Sequence, residues 1–194
     1  SAIKSIEREY ILRIDDDTML TADDIIIMYE YMAMNHRVGA MSPRILQYNT
    51  NRSQLNLGDK EIDISNYHGA CHLLRKGLVD IIGPIDKECD FGSEEIDYSI
   101  KIKNLGFDIK YFPSATVYHN NHIRNGGLGV WRKRRRLYNS VRTCFKYWPT
   151  LMAFRYSFRF YISHIISGVD QFGIKMILLH TFDCYQGIQK GSLQ

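Results

Sequence analysis

Across its first two thirds the chain alternates short apolar runs with stretches of helical periodicity, the pattern of a sheet whose strands are separated by helices. Tyr10-Ile11-Leu12-Arg13-Ile14 reads as a buried strand that stops at three aspartates. Thr21-Ala22-Asp23-Asp24 has the form of a capping box, in which the first and fourth side chains each satisfy the other's backbone N–H, and it predicts a helix through about Met34. Val38 to Met41 predicts a short strand stopped by Pro43, since proline cannot donate to a ladder. Asn49 to Asp59 predicts a polar loop or hairpin, Gly69 to Arg75 a strand, and Lys76 to Ile82 a short helix closed by Gly83-Pro84. Ser93 is placed to cap a helix over Glu94 to Leu105, with Ile96, Ile100 and Leu105 facing inward and Gly106 ending it. Asp108 to Phe112 and Ala115 to Tyr118 are extended on either side of Pro113. Beyond a hinge at Gly126-Gly127 the pattern changes to long basic, aromatic helices.

Composition narrows the class. With 45% hydrophobic and 24% charged residues, the chain is neither disordered nor fibrous. Its 194 residues can bury a core without cross-links. Cys71, Cys89, Cys144 and Cys184 show no C-x-x-C spacing, so they suggest neither a zinc site nor a redox motif, and a reduced setting is the simpler reading. The sequon Asn51-Arg52-Ser53 is discounted as a chance triplet. No stretch approaches a membrane span and no signal-peptide pattern opens the chain. The net charge of +4 hides an asymmetry. Between His119 and Val169 there is no Asp or Glu but ten Lys and Arg, while the other 15 basic residues face all 21 acidic ones, a net of −6. An acidic body with a basic tail points to two tasks, one of them facing an anionic partner.

Asp15-Asp16-Asp17 is the sharpest local feature. Three adjacent carboxylates repel unless a cation neutralises them, and Asp15 and Asp17 fall on one side of an extended chain, where a hard divalent ion would suit them. The plainer reading is a polar turn ahead of a helix. Glu94-Glu95-Ile96-Asp97 is the second cluster, though carboxylates in a helix's first turn also serve the dipole alone. His119 ends an aromatic strand, where an ordinary polar strand end is the plainer reading.

Taken in order, these features resemble glycosyltransferase family 2, whose members have a GT-A fold. The resemblance runs from about Ser1 to His119 and more loosely to about Pro149. It is carried by Glu9-Tyr10-Ile11-Leu12-Arg13-Ile14-Asp15-Asp16-Asp17, Gly69-Ala70-Cys71-His72-Leu73-Leu74-Arg75 and Gly83-Pro84-Ile85-Asp86. Glu94-Glu95-Ile96-Asp97, Gly106-Phe107-Asp108-Ile109-Lys110-Tyr111-Phe112-Pro113 and Val117-Tyr118-His119 complete it. The resemblance implies an incomplete α/β GT-A sheet flanked by helices over residues 1–123, with a basic, aromatic helical extension over 124–194. It implies an inverting transferase that moves a sugar from a nucleoside-diphosphate donor to a saccharide or lipid-linked acceptor. Asp15 and Asp17 would be the DxD motif and, with His119, would hold Mn²⁺ or Mg²⁺. Asp15, Asp16, Asp17, His68 and Gly69 would bind the donor. Glu95 stands where the family usually has an aspartate as general base, so Glu94 and Asp97 remain candidates beside it. The strands that precede the acidic strand in that family have no counterpart after Ser1, and the chain alone is expected to bind little donor.

The basic tail has three readings. Clustered arginines among aromatics from Trp131 to Trp148 suit nucleic acid, although no reader motif accompanies them. They also suit a solvated helix face. The favoured reading is a foot on an anionic membrane, because Leu151 to Ile166 aligns Phe154, Phe158, Tyr161, Ile162 and Ile165 with Arg155 and Arg159 one turn apart. The expected setting is polysaccharide or glycolipid assembly in the cytoplasm, with a peripheral place on the inner membrane face as a further option. A rival of another class is a non-catalytic membrane or polyanion-binding module on a degenerate transferase scaffold. A metal-dependent phosphotransferase using the triplet is disfavoured by the lack of a glycine-rich phosphate cradle.

Overall fold

The computed structural model describes residues 8–48, 50, 53–87, 89, 92–120, 127–172 and 175–192. Asn51 and Arg52 of the sequon, Asp90-Phe91, Gly126 and Arg124 lie outside them. The chain divides into two units, one of Ser1–Ile85 with Glu95–His122, the other of Asp86–Glu94 with Ile123–Gln194.

The first unit is a mixed sheet with helices. Its elements are β1 (Tyr10–Ile14), β2 (Thr18–Met19), α1 (Ala22–Met34), β3 (Val38–Gln47), β4 (Ser53–Leu55), β5 (Ile62–Asp63), β6 (Cys71–Arg75), α2 (Lys76–Ile82), α3 (Glu94–Asn104) and β7 (Asp108–His119). The strands run in the order β1-β6-β3-β7-β2, with β4 added to β3 and β5 to β7. Among the described residues only β3 and β7 pair in parallel; the other pairings are antiparallel. Because successive side chains point to opposite faces of a strand, neighbours in sequence join different cores. Leu73, Met41 and Phe112 pack with Met28 and Met32 of α1, whereas Leu74, Ala40 and Tyr111 pack with Leu78 and Val79 of α2 and Tyr98 and Ile102 of α3. The sheet is therefore the middle layer, and β3 is buried over most of its length.

The capping box forms as expected. Thr21 Oγ1 accepts the Asp24 N–H at 3.1 Å, and Asp24 Oδ2 accepts the Thr21 N–H at 3.0 Å. Asp24 Oδ1 also accepts the Thr116 N–H of β7 at 3.0 Å, which ties the start of α1 to the sheet.

Five expectations change. Pro43 does not stop its strand: β3 runs on to Gln47, and the register with β7 jumps from Pro43↔Phe112 to Arg44↔Thr116. The jump skips Pro113, Ser114 and Ala115, so a bulge absorbs the missing proline donors and a single β7 replaces the two expected segments. The strand β1 is not buried but lies at the end of the sheet path, with Ile14 46% exposed. The inward face of α3 is Tyr98 and Ile102 with Asp97 and Ser99, while Ile96 and Ile100 are half-buried and Leu105 is exposed. Ser93 is not an extended N-cap, since its φ is 73° and its hydroxyl lies 3.1 Å from that of Ser140.

The second unit contains α4 (Gly127–Tyr147), α5 (Thr150–Phe172) and α6 (Lys175–Ser192). Gly187 and Gly191 let α6 lie against α4: a Cβ at either would come within 2.7 Å of Tyr138 O or 2.5 Å of Arg142 O, respectively. Much of the basic run is engaged within the unit. Arg134 donates two bonds to Asp183, at 2.7 and 2.8 Å, and the Arg135 guanidinium lies 4.6 Å from the Tyr138 ring centre. Arg142 is wholly buried against Asp86 at 2.9 Å, and Lys146 reaches the same carboxylate at 2.8 Å. A purely solvated basic face is thereby corrected. Ion pairing ties Arg134, Arg142 and Lys146 to carboxylates.

Among the described residues the cysteines are free, and burial pushes the thiols of Cys71 and Cys144 up to about 12 and about 11, which leaves them unreactive packing groups. No helix, among the described residues, is long and apolar enough to cross a membrane.

Candidate active site

The three aspartates follow β1 as a turn rather than as extended chain. Asp15 N–H donates to Ala70 O at 2.9 Å, and Asp15 O accepts both the Thr18 N–H at 3.2 Å and the Thr18 hydroxyl at 2.7 Å. Thr18 then pairs with His119 at the end of β7, and Asn120 N–H donates to Asp17 O at 2.8 Å. The turn, not strand alternation, brings Asp15 and Asp17 to one side. It folds both carboxylates back onto His119.

Ligand atoms of Asp15, Asp17 and His119 all lie within 4.8 Å of one another. His119 Nε2 stands 3.0 Å from Asp17 Oδ1, and the ring is buried while both aspartates are partly open. Asp16 points to solvent. Two carboxylate oxygens and one imidazole nitrogen, converging on one point, are a donor set that fits a hard or borderline divalent ion such as Mn²⁺, with positions left for phosphate or water.

The other predicted residues meet at the start of β6. His68 N–H donates to Ser42 Oγ at 2.7 Å, and His68 Nδ1 accepts the Ala70 N–H at 3.1 Å. Burial pulls the His72 imidazole down to about 3, so it is neutral and donates from Nδ1 to His68 O at 3.0 Å. Gly69 takes the carboxylate of Glu95 directly against its backbone: a Cβ there would lie 2.1 Å from Glu95 Oε1. Gly69 adjoins Ala70, whose carbonyl holds Asp15, so Glu95 and the aspartate turn are gathered at one end of the sheet.

Glu94 and Asp97 are placed differently. Glu94 begins α3, and its Oε2 is buried without a hydrogen-bond partner among the described residues. Asp97 is 1% exposed and pairs with Lys101 Nζ at 2.8 Å, a turn further along the helix. Its charge is met inside the fold.

Sequence reasoning missed two side chains at this site. Ser42 lies in the strand beyond its predicted end, and Gln54 lies in a segment read as a polar loop or hairpin. Gln54 Oε1 is 2.6 Å from His119 Nδ1. Neither carries a local signal, because only strand pairing brings it to the histidines. A cavity of about 380 Å³ beside β1, lined by Ile11, Leu12, His72, Val79, Pro84 and Tyr98 among others, contains none of Asp15, Asp17, His119 or Glu95.

No protein-family model matches the chain, and no curated protein matches it in sequence. Solved structures do match. The mannosyltransferase PcManGT from Pyrobaculum calidifontis, in complex with GDP-Man and Mn²⁺, aligns with 99% of this chain and 62% of its own at TM-score 0.54 and 14% identity. GalNAc-T7 with UDP, GalNAc and Mn²⁺ aligns with 97% of this chain and 41% of its own at TM-score 0.62 and 12% identity. The chain thus spans less than two thirds of either protein, and at these identities the likeness shows the fold. That fold is an incomplete α/β sheet of the GT-A glycosyltransferase kind.

Proposed function

We propose that the chain is the catalytic part of a metal-dependent glycosyltransferase of the family 2 type. It moves a sugar from a nucleoside-diphosphate donor to a saccharide or lipid-linked acceptor, with inversion. The observation that carries this reading is the convergence of Asp15, Asp17 and His119 at one end of a GT-A sheet. That these two structural neighbours are described with a nucleotide or nucleotide sugar and Mn²⁺ supports it.

In this reading Asp15, Asp17 and His119 hold the divalent ion, which when bound neutralises the diphosphate leaving group. Asp15 and Asp16 face the nucleotide side, and His68 and Gly69 border the sugar. The Glu95 carboxylate takes the proton of the acceptor hydroxyl as its oxygen attacks the anomeric carbon, and single displacement inverts that centre. Lying against Gly69 holds Glu95 in one place and removes part of the cost of orienting it. Glu94 is the alternative base, while Asp97 is occupied by Lys101.

The test is Mn²⁺-dependent hydrolysis or transfer from a panel of UDP- and GDP-sugars, using the chain together with whatever sequence precedes it in the parent protein. Asp17→Asn should abolish the reaction and leave the fold intact. Activity that persists in the presence of a chelator would sink the metal role.

A membrane-facing surface is the second part of the proposal. Leu151, Phe154, Phe158, Ile162 and Ile166 are exposed at helical spacing along α5, 84% in the case of Leu151 and 65% in that of Phe158. Arg155 and Arg159 are exposed beside them, and no acidic residue occurs from His119 to Val169. An apolar stripe flanked by exposed cations fits the surface of an anionic bilayer. The Ile165 side chain of the predicted stripe lies outside the described residues.

A further inference from the structure

The contact between Gln54 and His119 couples β4 to the candidate cation site. β4 pairs with one side of β3 and β7 with the other, so Gln54 reaches His119 across β3. Gln54 Oε1 stands 2.6 Å from His119 Nδ1, and on the opposite side of the ring Nε2 stands 3.0 Å from Asp17 Oδ1. A carbonyl oxygen only accepts, so Nδ1 must carry a proton to make this bond. A neutral ring protonated at Nδ1 has its lone pair at Nε2, the nitrogen that faces the two aspartates. The reversed amide would do the opposite: its NH₂ would demand the lone pair at Nδ1 and put a proton where a cation is to bind. The partner of one ring nitrogen thus decides what the other can do.

We propose that Gln54 is a positioning residue for the cation site, fixing the His119 ring and its Nδ1 proton so that Nε2 is the ligand. This rests on the reading of Asp15, Asp17 and His119 as metal ligands. Partners of this kind behind a metal-bound histidine typically alter metal affinity by about 10- to 100-fold.

The test does not depend on activity. Long-range proton–nitrogen NMR on the chain with ¹⁵N-labelled histidine, in mildly alkaline buffer, reads which nitrogen of His119 is protonated; His119→Gln identifies the signal. Mn²⁺ binding is followed in parallel by the electron paramagnetic resonance of the free ion. The wild-type chain should show a protonated Nδ1. Gln54→Leu should lose that fixed state and bind Mn²⁺ about 10-fold or more weakly, whereas Gln54→Glu, which still accepts, should restore the Nδ1 signature. A wild-type ring protonated only at Nε2 overturns the proposal without recourse to any variant. So does a folded Gln54→Leu chain with an unchanged signature and unchanged Mn²⁺ affinity. If the signature depends on Gln54 but the wild-type chain takes up no Mn²⁺, the orientation of His119 by Gln54 stands and the cation-site reading falls.

Discussion

Glu95 rests its carboxylate where a side chain on Gly69 would have to be, with Oε1 2.1 Å from the place of a Cβ. Any larger residue at position 69 must push that carboxylate aside. Gly69→Ala should therefore act on the proposed base without touching it chemically. The expected effect is a fall in transfer rate approaching that of Glu95→Gln, about 10²-fold, with donor affinity largely kept in Glu95→Gln. Overpacking should cost about 1–3 kcal/mol of stability. Steady-state kinetics of both variants, with Glu94→Gln and Asp97→Asn alongside, decides the assignment. If Glu94→Gln is crippling and Glu95→Gln mild, Glu94 is the base.

His72 makes stability depend on pH in a stated direction. Burial lowers its folded-state value from 6.5 to about 3, so between those two values the unfolded chain takes up a proton that the folded chain refuses. The stabilisation is complete above 6.5 and declines as pH falls toward about 3, by up to about 1.4 kcal/mol per pH unit. Asp24 adds to this at the acid end. Burial opposes its charge, but bonds from the Thr21 side chain and from the Thr116 and Thr21 backbones outweigh burial and hold the carboxyl below its ordinary 3.8. Its contribution is present above 3.8 and is lost as pH falls through its lower folded value. Urea unfolding at several pH values should show the slope, and His72→Gln should flatten it over the range above 3.8 without abolishing the fold.

The exposed stripe of α5 predicts co-sedimentation with liposomes rich in anionic lipid and partial release by salt. Each arginine near such a surface contributes on the order of 1 kcal/mol, so replacing Arg155 and Arg159 with Ser should weaken binding about tenfold or more. Phe158→Ser should weaken it further by removing buried apolar area. Equal binding to neutral and anionic vesicles would refute the electrostatic part. Binding to neither, with tight binding to RNA, would favour the nucleic-acid reading instead.

Arg134 should behave unlike Arg155. Its two bonds to Asp183 make it a support of the helical unit, so Arg134→Ser should lower thermal stability by about 1–3 kcal/mol, the usual range for a hydrogen-bonded charged partner. Asp183→Asn should do much the same, and the double variant should cost less than the sum. A stability unchanged in both single variants, with lipid binding lost in Arg134→Ser, would return that residue to the membrane surface.

Local rules explain which expectations held. The Thr21–Asp24 box and the Gly83 terminus of α2 depend on residues within a few positions, and both formed as their side-chain chemistry requires. Pro43 misled because its cost is local but its remedy is not: a three-residue slip in β7 accommodates it. The face of α3 misled for a similar reason. Ile96 and Ile100 share one spacing, Tyr98 and Ile102 another, and only the sheet beneath the helix selects between them.

Sequence alone determined α1, α2 and α3, the strands β1 and β6, and the identity of the residues with chemistry to offer, because these follow from periodicity and side-chain type, while the two-residue strands β2 and β5 carry no such pattern. Tertiary structure decided what those residues are to one another. It put Asp15 and Asp17 against His119 by a turn, Gln54 behind His119 across a strand, and Glu95 upon Gly69, while giving Asp97 to Lys101 and Arg134 to Asp183. Apart from the Asp97–Lys101 pair, which is one helical turn apart, those meetings join residues far apart in the chain. Strand register and helix packing set such distances, and no local pattern encodes them.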